Sequence, residues 1–176
     1  MKLSGRAPLR FTIIPRGQTG GHVAFPEEFE TLATKEYLTM RLAVLMGGKA
    51  STSRLRNGQE DSGVSMDVEM ATKSAVDMVT KLGMSALGMF NLQALAAAGL
   101  VSDDFKSKIM VEVQKLLDAA LAKAFAVCDE HSEELKKLVA EIDEHETLLE
   151  PDFKRIFNMT YGETEAEPKA LPSAGV

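Results

Sequence analysis

The chain has 176 residues, of which 45% are hydrophobic and 26% are charged. A domain of this size buries about 70% of the surface that its unfolded chain exposes, so we expect one real core rather than a disordered polymer. Its 26 acidic residues outnumber its 20 basic residues and give a net charge of −6. Because nucleic-acid binding relies on lysine and arginine to displace counterions from phosphates, we expect no nucleic-acid partner.

The apolar runs and the cysteine content limit the expected location. No apolar run approaches the roughly 20 residues that cross a bilayer, so we expect no membrane contact from this chain alone. Residues 1–10 lack the continuous apolar stretch of a secretory signal, which favours a cytoplasmic location. Cys128 is the single cysteine, so a disulfide within the chain is impossible.

The first third of the chain changes from a strand pattern to a helix pattern. Residues 9–14 and 21–25 are short β-favouring runs on either side of a turn-rich linker at 15–20, which predicts a β-ribbon. From Thr34 onward, apolar residues at steps of three and four predict a helix that breaks at Gly47 and Gly48. The polar stretch at 54–63 predicts a solvated loop.

Residues 64–82 carry the next helical pattern, and Gly83 is a typical helix stop. The alanine-rich stretch at 83–102 predicts one short helix. Ser102 begins a long amphipathic pattern that continues to Cys128, and serine is a favoured residue at a helix N-terminus.

Two further helices are predicted to start at Ser132 and Pro151, since serine favours the cap and proline the first turn. The sequence therefore predicts a mainly α fold, with about five to six helices and a small N-terminal two-stranded β-ribbon. We expect this domain to occupy residues 8–158. Residues 159–176 are rich in proline, glycine and glutamate, and they predict a disordered tail.

Five segments carry motifs that occur in the same order in one known family. The first two are residues 12–17, Thr-Ile-Ile-Pro-Arg-Gly, and residues 42–50, which end in Gly-Gly-Lys-Ala. Residues 62–72 include Ser-Gly-Val-Ser-Met-Asp-Val, residues 78–85 are Met-Val-Thr-Lys-Leu-Gly-Met-Ser, and the last segment is 146–148 followed by Phe153. Together they resemble the protease domain of the FtsH-type ATP-dependent zinc metalloproteases. In that family the corresponding segments are the opening of the β-ribbon, a Gly-Gly-Arg-Ala helix end, a Thr-Gly-Ala-x-Asn-Asp-Leu-x-x-Ala-Thr block, a Met-Val-Thr-x-x-Gly-Met-Ser block and the end of the last helical pair.

The resemblance implies a zinc-dependent peptidase site, for which the family uses two histidines and a glutamate in a His-Glu-x-x-His helix. This spacing places both histidines on one helical face, where they bind zinc, and the glutamate acts as the base. The three histidines of this chain, His22, His131 and His145, are not so spaced. In the family that helix lies upstream of the segment matched by residues 12–17, and only eleven residues precede Thr12 here.

Asp67 is the one candidate site residue that the resemblance supplies, because it matches the family's third zinc ligand. Its alternative role is to complement the dipole at a helix N-terminus, which contributes roughly 0.3 to 1 kcal/mol. The chain as given implies no cofactor, and zinc would be expected only if the missing helix is supplied.

Other groupings of ligand-type residues carry weaker hypotheses. Cys128 and His131, together with His145, could be imagined in a small zinc site, but packing of Cys128 at the end of its helix is the simpler interpretation. His22 could approach Asp67, although one histidine and one aspartate are too few ligands for tight zinc binding. Residues 47–50, Gly-Gly-Lys-Ala, lack the Ser or Thr and the first glycine of a phosphate-binding loop.

Two functional hypotheses follow, and they leave open whether the chain is an enzyme. In the first, it is a catalytically inactive FtsH-type domain that acts as an interaction or assembly module, with protein partners or further copies of itself in a homo-oligomer. In the second, it is the truncated portion of an active ATP-dependent zinc metalloendopeptidase whose His-Glu-x-x-His helix lies upstream of Met1.

Overall fold

The computed structural model describes residues 3, 7–15, 20–25, 32–59 and 62–158. The predicted disordered tail at 159–176 and most of the predicted turn at 15–20 lie outside these residues, so both stay predictions. The predicted domain boundary at residue 8 likewise stays a prediction. None of the helices within the described ranges is both long enough and apolar enough to cross a membrane.

The predicted mainly α fold is confirmed. In chain order the described helices are α1 (Lys35–Leu45), α2 (Gly47–Leu55), α3 (Ser65–Thr80), α4 (Leu92–Ala97), α5 (Asp103–Glu130), α6 (Ser132–His145) and α7 (Glu150–Phe157). A short 3-10 turn, Ser62–Val64, leads into α3. The strands are β1 (Arg10–Thr12), β2 (His22–Ala24) and β3 (Thr147–Leu149).

The 28-residue helix α5 is the scaffold against which α1, α2 and α3 all pack. It begins as the sequence predicts, because the Ser102 hydroxyl accepts a hydrogen bond of 3.2 Å from the Phe105 N–H. Asp103 and Asp104 then place negative charge in the first turn, where it complements the helix dipole. The helix buries Ile109, Val113, Ala120 and Ala124, the predicted apolar stripe.

The predicted break of the first helix is present, since α1 ends at Leu45, but Gly47 and Gly48 then open a further helix, α2, that the sequence did not predict. The chain turns at Met46, and α2 then runs on to Leu55, into the start of the predicted loop. Tertiary contacts stabilise it despite the low helix propensity of glycine. Ala50 is fully buried, and Arg54 forms a two-pronged ion pair with Asp129 of α5, at 2.6 and 2.8 Å.

The sheet has a third strand beyond the predicted ribbon. Strand β1 lies in the centre and pairs antiparallel with β2 on one side and β3 on the other. Thr12 is fully buried, and its hydroxyl lies 3.1 Å from the Glu146 carbonyl oxygen and 2.9 Å from the Thr147 hydroxyl. The short segment at 147–149 carries too few residues for a strand pattern, so pairing with a distant strand decides its conformation.

The buried side chains form two clusters. The helical cluster joins α1, α2, α3 and α5, and its members are Leu42, Ala43, Met46, Ala50, Ala71, Ala75, Met78, Val79, Ile109, Val113, Ala120 and Ala124. The sheet cluster lies between the sheet and the helices α6 and α7, and its members are Ala7, Ile142, Leu148, Phe153, Ile156 and Phe157. Alanines dominate the seams of the helical cluster, so the helix backbones can approach one another closely.

The Arg54–Asp129 ion pair leads to a pH-dependent prediction. The Arg54 guanidinium also lies 4.6 Å from the centre of the Phe125 ring. Its hydrogen bonds lower the pKa of the Asp129 carboxyl. A carboxyl with a lowered pKa stabilises the fold above its unfolded pKa of about 3.9, and that stability is lost as the pH falls through the folded pKa.

We therefore expect Asp129→Asn to have a lower urea midpoint than the parent protein at neutral pH. We expect this difference in midpoint to become smaller in acid. Urea unfolding across a pH series measures this. Glu130→Gln is the matched control, because Glu130 is the next residue on α5 and its side chain is 73% exposed. A gap that is constant with pH would contradict an electrostatic role for the pair.

Candidate functional site

Asp67 lies in the first turn of α3, three residues beyond the 3-10 turn. Helix α3 is held in place by Ala71, Ala75 and Met78, which are fully buried against α1 and α5. Asp67 borders this buried face and is itself half-buried. Whether Asp67 binds a metal, as the family resemblance implies, stays a prediction.

The start of α2 lies beside the Asp67 carboxylate. A Cβ atom at position 48 would stand 3.2 Å from Asp67 Oδ2 and 3.9 Å from Val64 Cγ1. Gly48 thus faces the carboxylate across the α2–α3 junction. The block at 42–50 and the block at 62–72, which are separate in sequence, meet at this point in the fold.

The electrostatic environment of Asp67 combines partial burial with the positive end of the α3 helix dipole. Burial raises the pKa of the Asp67 carboxyl, and no cation or hydrogen-bond donor in the described parts of the chain opposes that effect. Because the side chain is half-exposed, its oxygens can accept hydrogen bonds from water or bind a cation.

The three histidines lie on elements other than α2 and α3, which carry Gly48 and Asp67. His22 is on β2 of the sheet. His131 lies between α5 and α6, where its ring nitrogens are 3.4 Å from Glu134 and 3.8 Å from Glu130. His145 ends α6, with its Nε2 3.8 Å from Glu141.

No group of three or more His, Cys, Asp or Glu side chains that could hold a metal occurs within the described ranges. Cys128 packs against the helical cluster, and burial raises the pKa of its thiol. The imagined site of Cys128, His131 and His145 is therefore not assembled there.

The ligands that zinc requires can be compared with those that the described residues offer. A catalytic zinc site uses three protein ligands and keeps a fourth position for water. Among the described residues, Asp67 is not part of any group of three or more ligand-type side chains. The described residues do not fit a complete zinc site, so no catalytic step can be assigned to them.

Glu112 is a structurally important polar residue that the sequence reasoning missed. It is buried on α5 and accepts hydrogen bonds from the Ala86 N–H at 3.2 Å and from Lys115 Nζ at 2.7 Å. These bonds lower the pKa of its carboxyl and tether the segment after α3 to α5. The sequence does carry a signal, because Glu112 falls between Ile109 and Val113 on the apolar stripe.

Comparisons with known proteins identify the family that the chain matches. The chain matches peptidase family M41 over residues 4–156. It is 34% identical over 159 residues to the ATP-dependent zinc metalloprotease FtsH of Rhodococcus erythropolis. It is 36% identical over 160 residues to the protein of that name from Mycobacterium tuberculosis, and 31% identical over 177 residues to that from Acidobacterium capsulatum.

The coverage of these matches is asymmetric. The three alignments include 84%, 84% and 94% of this chain, but they span only 18%, 21% and 27% of the respective relatives. The chain therefore spans about a fifth to a quarter of the length of the curated relatives it matches. Activity of the whole relatives does not transfer with the matched part.

Proposed function

Because this chain belongs to peptidase family M41 and forms an FtsH-type zinc-metalloprotease-like domain, we propose that by itself it acts as an interaction or assembly module without peptidase activity. One observation carries the proposal. The chain keeps the helical scaffold of such a domain, but its 176 residues contain no His-Glu-x-x-His segment. Without that segment the two histidine ligands and the catalytic glutamate are missing from the chain itself.

A second candidate function is favoured by the state of Asp67. Burial raises the pKa of the Asp67 carboxyl, and groups with a shifted pKa cluster at functional sites. Asp67 also occupies the position that matches the third zinc ligand of the family. On this candidate, the chain is the scaffold portion of an active zinc peptidase, and a His-Glu-x-x-His helix from another segment completes the site.

We expect the purified chain to contain much less than one zinc per molecule and to leave casein uncleaved. Metal analysis by mass spectrometry and a casein digestion assay measure these properties, with and without added zinc. The physical reason is that one carboxylate cannot replace three ligands. Stoichiometric zinc together with chelator-sensitive cleavage would overturn the first candidate.

A fusion protein tests the second candidate. The segment that precedes the matched region in the M. tuberculosis relative is joined to the N-terminus of this chain. We expect the fusion to bind one zinc, and we expect Asp67→Asn to weaken that binding by about tenfold or more. Asp77→Asn is the matched control, because Asp77 lies on the same helix but pairs with Lys81 at 2.7 Å.

Equal zinc binding by the fusion and its Asp67→Asn variant would remove Asp67 from the site. The sequence encoded upstream of Met1 provides an independent check, since an in-frame His-Glu-x-x-His helix there favours the second candidate over the first.

Self-association is part of the assembly proposal. A protein module whose function is assembly should form a homo-oligomer or bind another protein, and the analogy with the FtsH-type family favours further copies of itself. Sedimentation velocity over a range of concentrations measures this. A chain that remains monomeric at high concentration would count against self-association.

A further inference from the structure

We propose that Gly48 is a positioning residue for Asp67. By carrying no side chain in the first turn of α2, Gly48 leaves the space in which the Asp67 carboxylate stands beside that helix. The carboxylate oxygen thereby stays open to a divalent cation. The cation part of this inference rests on the second candidate function, whereas the positioning itself rests on the geometry alone.

A side chain at position 48 would make one tight contact, with Asp67, and one ordinary contact. A Cβ there would lie 3.2 Å from Asp67 Oδ2, which is tighter than ordinary van der Waals contact, so the carboxylate would have to move by a few tenths of an ångström. The next neighbour, Val64 Cγ1, would lie at an ordinary 3.9 Å. An added methyl group therefore acts on the Asp67 carboxylate before any other group.

The backbone gives no other reason for glycine at this position. Gly48 is absent from the described residues with positive φ, so an alanine can adopt its conformation without strain. Alanine is also the better helix former. The space in front of Asp67 is the feature that an alanine would remove.

Both helices that frame the junction are anchored, so the carboxylate is the part that moves. Helix α2 is held by buried Ala50 and by the Arg54–Asp129 ion pair. Helix α3 is held by the fully buried Ala71 and Ala75. A methyl group at position 48 therefore displaces a flexible side chain rather than a helix backbone.

Gly47 provides the matched control. It precedes Gly48 in the same helical turn, and a Cβ there would meet no atom within 4 Å. It too is absent from the positive-φ residues. Gly47→Ala and Gly48→Ala thus make the same chemical change, and only the second presses on Asp67.

The first experiment uses the full chain and carbon NMR of side-chain carboxyl groups, with the Asp67 resonance assigned by its loss in Asp67→Asn. We expect Gly48→Ala to shift this resonance and Gly47→Ala to leave it in place. An unmoved resonance in Gly48→Ala, or equal shifts in both variants, would overturn the inference.

Urea unfolding of the same variants supplies a second readout. We expect the urea midpoint of Gly48→Ala to be lower than that of Gly47→Ala. When each is combined with Asp67→Ala, which removes the carboxylate, we expect the two double variants to have the same midpoint. If Gly48→Ala alone fails to fold, folding restored by the added Asp67→Ala supports the inference, and continued failure contradicts it.

The fusion protein separates this inference from the proposed function. We expect Gly48→Ala to weaken its zinc binding by about tenfold and Gly47→Ala to leave it unchanged. If the Asp67→Asn fusion binds zinc as tightly as the parent fusion, the second candidate function fails. The NMR shift of the Asp67 carboxyl resonance still tests the positioning role of Gly48 in that case. If Asp67→Asn weakens binding but Gly48→Ala binds like Gly47→Ala, the inference about Gly48 is wrong.

Discussion

Replacement of Phe153 by alanine should lower the free energy of unfolding by about 3 to 5 kcal/mol, the usual cost of removing a buried phenylalanine ring. Phe153 is 1% exposed and is among the largest fully buried side chains. It lies in the sheet cluster with Ile142 and Leu148, where α6, α7 and β3 meet. Loss of the ring leaves a cavity that anchored strands and helices cannot fill by collapse.

Urea unfolding followed by circular dichroism measures the effect on Phe153→Ala. Leu149→Ala is the control, because Leu149 lies on the same strand as Leu148 but is 51% exposed. We expect the control to change stability by less than about 1 kcal/mol. Equal effects of the two variants would mean that the sheet cluster is not a packed core.

Leu42→Ala should lower the free energy of unfolding by about 2 to 5 kcal/mol. Leu42 is fully buried on α1, at the centre of the helical cluster. Helix α1 packs on both α3 and α5, and the neighbouring seam consists of small residues such as Ala71 and Ala75. Those short side chains cannot extend into the space that the missing leucine leaves, so the cavity term should be large.

Leu100→Ala is the control for Leu42→Ala, because Leu100 is 68% exposed. The same urea experiment measures both variants. Because α3 carries Asp67, we also expect Leu42→Ala to broaden or shift the Asp67 carboxyl resonance, whereas Leu100→Ala should not. A stability loss in Leu42→Ala no larger than that of the control would contradict the assigned core.

Local sequence patterns predicted the long helices well. The periodic apolar residues of α3 and α5, and the Ser102 cap with the two acidic residues after it, are properties of one continuous segment. Helix periodicity and capping act over a few residues, so a sequence displays them directly. The family resemblance could also be recognised from the sequence, since each matching block is short and contiguous.

Local patterns failed where distant contacts decide the conformation. Residues 147–149 form a strand because they pair with β1, and Thr12 contacts Glu146 across a separation of 134 residues. Helix α2 extends beyond the glycines because Arg54 reaches Asp129, which lies 75 residues away. Neither β1, the partner of residues 147–149, nor Asp129, the partner of Arg54, can be identified from the local sequence.

For the candidate site, the sequence by itself determined that Asp67 lies near the start of a predicted helix, in a family-matching block, and that no His-Glu-x-x-His segment accompanies it. Only the tertiary structure decided that Asp67 is half-buried, that Gly48 stands against its carboxylate, and that Glu112 tethers the following segment to α5. The physical reason is that spacing along a helix sets which way a side chain faces. What that side chain meets depends on the packing of other helices, which no single segment encodes.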